Sequence, residues 1–377
     1  MSVTIKKVSD RRDLATFIGF AESLYKDSPY YVPNLVFDQK DTLDPKRNPA
    51  SAFCESELYL AYKDGKLVGR VAAIVNHKAN EQWHHKEVRF GWFDFTDDRE
   101  VSKALMDKVE EFGRARGMES VVGPLGYTDF DPEGMLVEGF DKQSTMALIY
   151  NYPYYNDHVV AMGFEKDADW IEFRVQIPEV MPERMLRMAD MIMRRSNVHF
   201  ARVSRRQMRR GGYGRKIFRL INTCYQKLYN FTVLPEDLSD KYLNFYLSVL
   251  DLDYVSLIEN EKNELVAFGI SMPSLAAALQ KNRGRLFPFG WFPLLRDMFF
   301  NTSKGVELLL IGVRPDYQNK GINSLLMIDV HDRYIKRGLK WAETNAMLET
   351  NVKQLGQMRD YTRLAEKRRR SYKKPLV

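Results

Sequence analysis

The stretch of this chain best suited to chemistry is Gln318-Asn319-Lys320-Gly321-Ile322-Asn323-Ser324. Before it an apolar run, Leu308 to Val313, stops at Pro315; after it comes Leu325-Leu326-Met327-Ile328. An apolar run, a polar loop with one glycine and a second apolar segment predict strand, loop and helix. The start of a helix offers unpaired backbone N–H groups and the positive end of a dipole, which together suit an anion such as a phosphate. Two carboxylates belong to the same region. Glu307 opens the strand before the loop, and Glu343 lies in the next predicted strand, Lys340 to Leu348. A desolvated carboxyl has its pKa raised toward neutrality, as a general base requires. Glu343 and Asn345 alternate onto the face of Trp341, where they would hold an amine or take its proton. A salt-bridged strand residue would have the same pattern.

The run Val313-Arg314-Pro315-Asp316-Tyr317-Gln318, continuing through Gly321 to Asn323, resembles motif A of the GNAT acyl-CoA N-acyltransferases. Gln318 and Gly321 fit the family pattern Arg/Gln-x-x-Gly-x-Gly/Ala. Asn323 departs from it, although Asn tolerates left-handed backbone and caps helices. The resemblance implies that the amides of Gln318, Asn319, Lys320, Gly321, Ile322, Asn323 and Ser324 hold the CoA pyrophosphate. It implies that Ile311 and Val313 pair with the pantetheine arm and that Asn351 contacts it. Glu307 and Glu343 become the candidate bases. Tyr361, on the last predicted helix, is the candidate acid for the thiolate, although Met358 lies nearer the usual spacing. The co-substrate would be acetyl-CoA or another acyl-CoA, with no metal, and the acceptor a small-molecule or peptide amine.

These residues need a scaffold, and the sequence contains its plan twice. Leu58–Tyr62 and Leu67–Val75 flank Asp64-Gly65, a hairpin signal; Tyr254–Ile258 and Leu265–Ile270 flank a longer turn. In the first half a strand Val88–Phe95, an amphipathic helix Glu100–Arg116 and a strand Ser120–Pro124 follow. The expected fold is therefore α/β (α+β): two tandem GNAT-like domains, residues 1–178 and 179–377, each a mixed, mostly antiparallel sheet flanked by helices. The first would be a degenerate copy. Its strand–helix junction, Thr96-Asp97-Asp98-Arg99-Glu100, has no glycine and three carboxylates, better suited to capping a helix than to meeting phosphates. The tail from Glu366 to Leu376 is long enough for one strand where the family has a hairpin, so a strand must come from the other domain or be missing.

Composition narrows the rest. The 377 residues are 45% apolar and 12% aromatic, enough for substantial cores. Cys54 and Cys224 give neither a metal spacing nor a disulfide framework, and the N-terminus has no signal-peptide core. A cytoplasmic location is the expectation. The net charge of +7 is local: residues 202–219 hold eight basic residues and 367–374 six more, with no acid in either stretch. Such patches suit an anion, whether CoA phosphates, an acidic substrate, a membrane surface or nucleic acid, with nucleic acid not favoured. An insertion at 276–304 concentrates aromatics between Leu286 and Phe300. It is too short to span a membrane. Packing between the domains is the expected role; the functional alternatives are lining an apolar acceptor pocket with Trp291, covering the thioester and resting on a membrane surface. Two rivals remain. One is a Fem-like aminoacyl-tRNA-dependent transferase or a fatty-acyl transferase of the N-myristoyltransferase type; the other is a non-catalytic CoA-binding or scaffold protein.

Overall fold

The computed structural model of the chain describes residues 2–300 and 302–376, with side chains at all of these except 245–249 and 360. Its strands are β1 Thr4–Lys7, β2 Cys54–Lys63, β3 Lys66–Asn76, β4 Glu87–Phe95, β5 Ser120–Gly123, β6 Met135–Glu138 and β7 Glu165–Gln176 in the first half. The second half contributes β8 Val198–Ala201, β9 Val255–Asn260, β10 Leu265–Pro273, β11 Gly305–Val313, β12 Trp341–Thr344, β13 Met347–Leu348 and β14 Arg363–Pro375. They form one sheet in the order β1-β2-β3-β4-β5-β14-β7-β12-β11-β10-β9-β8, with β6 on β14 and β13 on β7.

The repeat predicted from the hairpins is real. Among the described residues each half has one parallel strand pair, β4–β5 and β11–β12, and every other pairing is antiparallel. Each parallel pair is joined by a helix, Arg99–Arg114 in the first half and Ile322–Lys336 in the second. The Asp64-Gly65 turn has φ of 52° and 74°, the left-handed pair that a two-residue hairpin requires.

The two halves close each other. β14, the last strand of the chain, lies between β5 and β7, and β7 of the first half pairs with β12 of the second. The strand that the short tail lacks is thus supplied by the other half. One hydrophobic cluster also runs across both halves, bringing Leu60, Ala72 and Ile74 together with Phe231, Phe268 and Leu279.

The basic tail is no anion patch. Its six cations are zipped to carboxylates: Lys367 to Glu172 and Glu343, Arg368 to Asp169 and Glu349, Arg369 to Glu172, Arg370 to Asp169, Lys373 to Glu87 and Lys374 to Glu110. In the other basic stretch Arg202, Arg215 and Arg219 pair with Asp329, Asp240 and Glu236. Charge counted along the chain was blind to partners brought in by strand pairing.

Candidate functional site

β11 and β12 run together only from Gly305 to Leu308 and then part. On the other edge of β11 the register with β10 slips between Ile270 and Ser271, leaving Leu309 bulged out of the ladder. A bulge at the point where two strands part re-aims main-chain groups into the opening. Asn345 bridges this fork: its amide donates to Leu308 O at 2.9 Å and its Nδ2 to Leu309 O at 3.2 Å. Farther along, the Tyr225 hydroxyl, from the helix Tyr213–Tyr225, donates to Ile311 O at 2.8 Å and accepts from Ile311 N at 3.1 Å. Gln318 Nε2 donates to Val313 O at 3.1 Å. The main-chain groups of Ile311 and Val313 expected to pair with an extended ligand are therefore held by two side chains.

At the far end of β11 lies the loop. Asn319 has φ of 62° and Gly321, which caps the helix Ile322–Lys336, has φ of 82°. Among the described residues the amides of 319–323 donate to no backbone carbonyl, whereas Ser324 and Leu325 already donate to Gly321 O. Five consecutive amides at the start of a long helix are the arrangement that suits an anion, a candidate cradle. The helix Glu183–Ser196 closes one side: a Cβ on Gly321 would meet Ile192 Cδ1 at 2.8 Å. Lys320 lies over the Tyr317 ring, and Lys353 donates to Asn319 Oδ1 at 2.9 Å. Two cations thus flank the cradle.

At the near end, roughly 20 Å back along the strand at ~3.3 Å per residue, Glu307 is 3% exposed and accepts from Ser274 Oγ at 2.8 Å. Burial pushes its carboxyl up to about 7; the neighbouring Glu343 adds to the rise, and Ser274, Lys367 and Arg174 oppose it. Glu343 is its direct partner across the parallel pair, but is held differently. Arg174 grips Glu343 Oε2 through Nε at 2.8 Å and Nη2 at 2.6 Å, and Lys367 Nζ lies 2.6 Å from Oε1. Lys367 also meets Glu172, which Arg369 binds from the other side. Burial alone would raise Glu172, yet Arg369 and Lys367 hold it below the usual carboxylate range. Glu343 is thus occupied by two cations, whereas Glu307 has a serine hydroxyl and a carboxyl raised by burial.

The remaining candidates disperse. Tyr361 is not on a helix: the last α-helix ends at Gln357, a 3-10 turn follows over Met358–Asp360, and Tyr361 after it is extended backbone stacked on His331, ring centroids 5.3 Å apart. Asn351 caps the helix Val352–Gln357 and donates to Gln354 Oε1 at 2.9 Å. Trp291 opens an exposed helix and donates to Pro288 O at 3.2 Å. The insertion is divided: its helix Ala276–Asn282 and Gly284 meet 29–36 of the first half, whereas the aromatics of 287–300 do not pack between the halves. In the first half Asp98 caps the helix Arg99–Arg114 and binds Lys63, so the acidic junction is a capped helix start.

Sequence reading missed Ser274, Tyr225, Glu172, Arg174, Lys367 and Arg369. A signal existed for four of them. Glu172 and Arg174, like Lys367 and Arg369, alternate at the period of a strand, which sets charged side chains on one face of a sheet.

No family model matches the chain. It is 27% identical over 358 residues to Protein YghO of Escherichia coli (strain K12), covering 92% of this chain and 89% of the relative. It is 25% identical over 363 residues to a bacterial ceramide synthase of Caulobacter vibrioides (strain NA1000 / CB15N), covering 93% and 91%. Among solved structures it superposes on a tandem GNAT protein from the clavulanic acid biosynthesis pathway with a TM-score of 0.57 and 9% identity, covering 100% of this chain and 99% of that one.

Proposed function

We propose that this chain, which has a tandem GNAT fold, is an acyl-CoA-dependent N-acyltransferase that transfers its acyl group directly to an amine in the second half. The observation that carries the reading is Glu307, a buried carboxyl with a pKa near 7 on the strand that leads to the amide cradle. The cradle at 319–323 and Lys320 would hold the CoA phosphates. The fork between β11 and β12 would admit the pantetheine arm once Tyr225 and Gln318 release Ile311 and Val313. An acyl-CoA supplies a thioester, whose carbonyl carbon is open to attack by an amine. The C–N bond forms, the C–S bond breaks, and the thiolate leaves with the electron pair. Glu307 takes the proton lost by the amine, a task for which a pKa close to the working pH is best. Asn345, anchored to Leu308 and Leu309, fixes the shape of the fork.

Acetyl is the simplest acyl group. A longer chain on a lipid-like amine is the second reading, favoured by the ceramide synthase among the relatives and by the exposed aromatics on the connection that leads into β11.

The test is calorimetric titration of acetyl-CoA and of octanoyl-CoA into the wild type and into Gly321→Glu, followed by thiol release with a panel of short polar and long-chain amines. Micromolar binding, lost in the variant, with thiol released on adding one amine class, is expected. Binding without turnover on any amine moves the non-catalytic reading ahead, and no binding of either thioester overturns the proposal.

A further inference from the structure

Of the fourteen exposed large apolar side chains among the described residues, seven lie within 287–300. Phe287, Phe289, Phe292, Phe299 and Phe300 are 83, 77, 59, 66 and 74% exposed. They are not scattered. The helix Trp291–Phe300 turns Leu294 and Asp297 inward and leaves Phe292, Leu295, Phe299 and Phe300 outward, so its outer face is aromatic where a surface helix is normally polar. Asp297, the only acid in 276–304, faces inward and accepts from Thr302 Oγ1. Ordinary monomers do not leave so dense an apolar patch facing water.

The charge around the patch says what covers it. Lys281, Arg283, Arg285, Arg296 and Lys304 are all exposed. Arg283 has a partner 3.4 Å away in Glu22 of the first half. An aromatic face bordered by cations is the design of a helix that lies in the headgroup region of an anionic bilayer, rings down among the acyl chains and cations at the phosphates. No helix among the described residues is long and apolar enough to cross a membrane. The contact is therefore one of lying on the surface.

We propose that residues 285–300 dock this protein on an anionic lipid surface. The place of the segment gives the docking a purpose. It lies in the connection from β10 to β11, which starts at Ser274, whose hydroxyl binds Glu307, and ends at Lys304, three residues before Glu307 itself. Docked in this way, the Glu307 end of the second half lies next to the bilayer. An amine with a long aliphatic chain would then reach the site without crossing water. The docking itself does not depend on the acyltransferase reading.

The experiment is vesicle flotation of the full chain without any thioester, using phosphatidylcholine vesicles with and without phosphatidylglycerol. The comparison is the triple variant Phe289→Ser, Phe292→Ser, Phe299→Ser, checked for unchanged melting and sedimentation. Wild type should float with the anionic vesicles, more weakly with neutral ones and less at high salt. The triple variant should bind at least about tenfold less, since three rings would no longer be buried among the acyl chains. Absence of flotation, or equal flotation of the variant, overturns the proposal. So does a wild-type dimer that the triple substitution turns into a monomer, because the patch would then cover a second copy. Equal binding to neutral vesicles overturns the choice of an anionic surface. Thiol release from detergent-dispersed amine is a separate readout, so failure of docking and failure of acyl transfer are told apart.

Discussion

Glu307 and Glu343 stand directly opposite each other on β11 and β12, and only one of them has cations for partners. Arg174 and Lys367 saturate Glu343, whereas Glu307 has a serine hydroxyl. Glu343 is thereby tied into an ion-pair network, whereas burial raises the Glu307 carboxyl to about 7. In the proposed mechanism this difference in partners gives proton transfer to Glu307 and a structural part to Glu343.

Glu307→Gln should therefore lower the rate of amine acylation by about 10²- to 10⁴-fold, the usual contribution of a general base. The wild-type rate should rise with pH through about 7, because the base form is the ionised one. The variant should lack that limb. A pH–rate profile of thiol release checks it; an acid limb that survives in the variant belongs to another group.

The same substitution should stabilise the fold, with a defined pH dependence. The folded protein binds this proton up to about 7 and the unfolded chain only to about 4.5, so stability falls as pH rises between those values. The shift corresponds to at most ~3 kcal/mol. Urea unfolding of Glu307→Gln should match the wild type near pH 4 and exceed it at pH 8. A variant less stable than wild type at pH 8 would refute the assignment.

Glu343→Gln should do the reverse. It takes from the partly exposed Arg174 its carboxylate and leaves the buried Lys367 with Glu172 alone, a loss of at most ~3–5 kcal/mol, the cost of breaking a buried ion pair. The acid limb near pH 7 should remain in whatever activity survives. Denaturant midpoints and the pH profile together separate the two carboxylates; loss of the limb would make Glu343 the base.

Tyr225→Phe tests the fork. The hydroxyl satisfies both main-chain groups of Ile311, so removing it should cost the ligand-free chain ~1–2 kcal/mol. If those groups are the ones an acyl-CoA takes over, the competitor is gone and the thioester should bind several-fold tighter. Stability and affinity that fall together would mean that Tyr225 supports the site.

The sequence made the repeat legible because hairpins and the strand–loop–helix segment are local patterns, each set by a few adjacent residues. Glu307 was legible for the same reason, being at a fixed distance from the loop. Lys367 and Arg369 were not. They read as part of a basic tail, since their carboxylate partners lie roughly two hundred residues away, or on another strand, and meet them only when β14 enters the sheet between β5 and β7. The aromatic insertion was misjudged in a related way: apolar content predicts burial, and only the fold shows that the rings of Phe287 to Phe300 face outward.

The exchange of strands makes a final prediction about the halves. In residues 1–178 alone, β5 and β7 lose the strand between them, which meets β7 in ten register pairs and β5 in four. Glu172 and Asp169, 1% exposed, would lose Lys367, Arg369 and Arg370. In residues 179–377 alone, β12 loses β7, Glu343 loses Arg174, and the cations of β14 lose Glu172, Asp169, Glu87 and Glu110. Each piece would expose both edges of one long strand, β7 or β14, and several unpaired buried charges, costs that a domain's net stability of ~5–15 kcal/mol does not absorb. Expressed separately, both halves should be insoluble or lack a cooperative melt. Expressed together as two chains, they should copurify and melt in one transition, because β14 can enter the sheet from a separate chain. A half that is soluble and melts cooperatively on its own would show that the swapped strand is an ornament of the sheet and not its keystone.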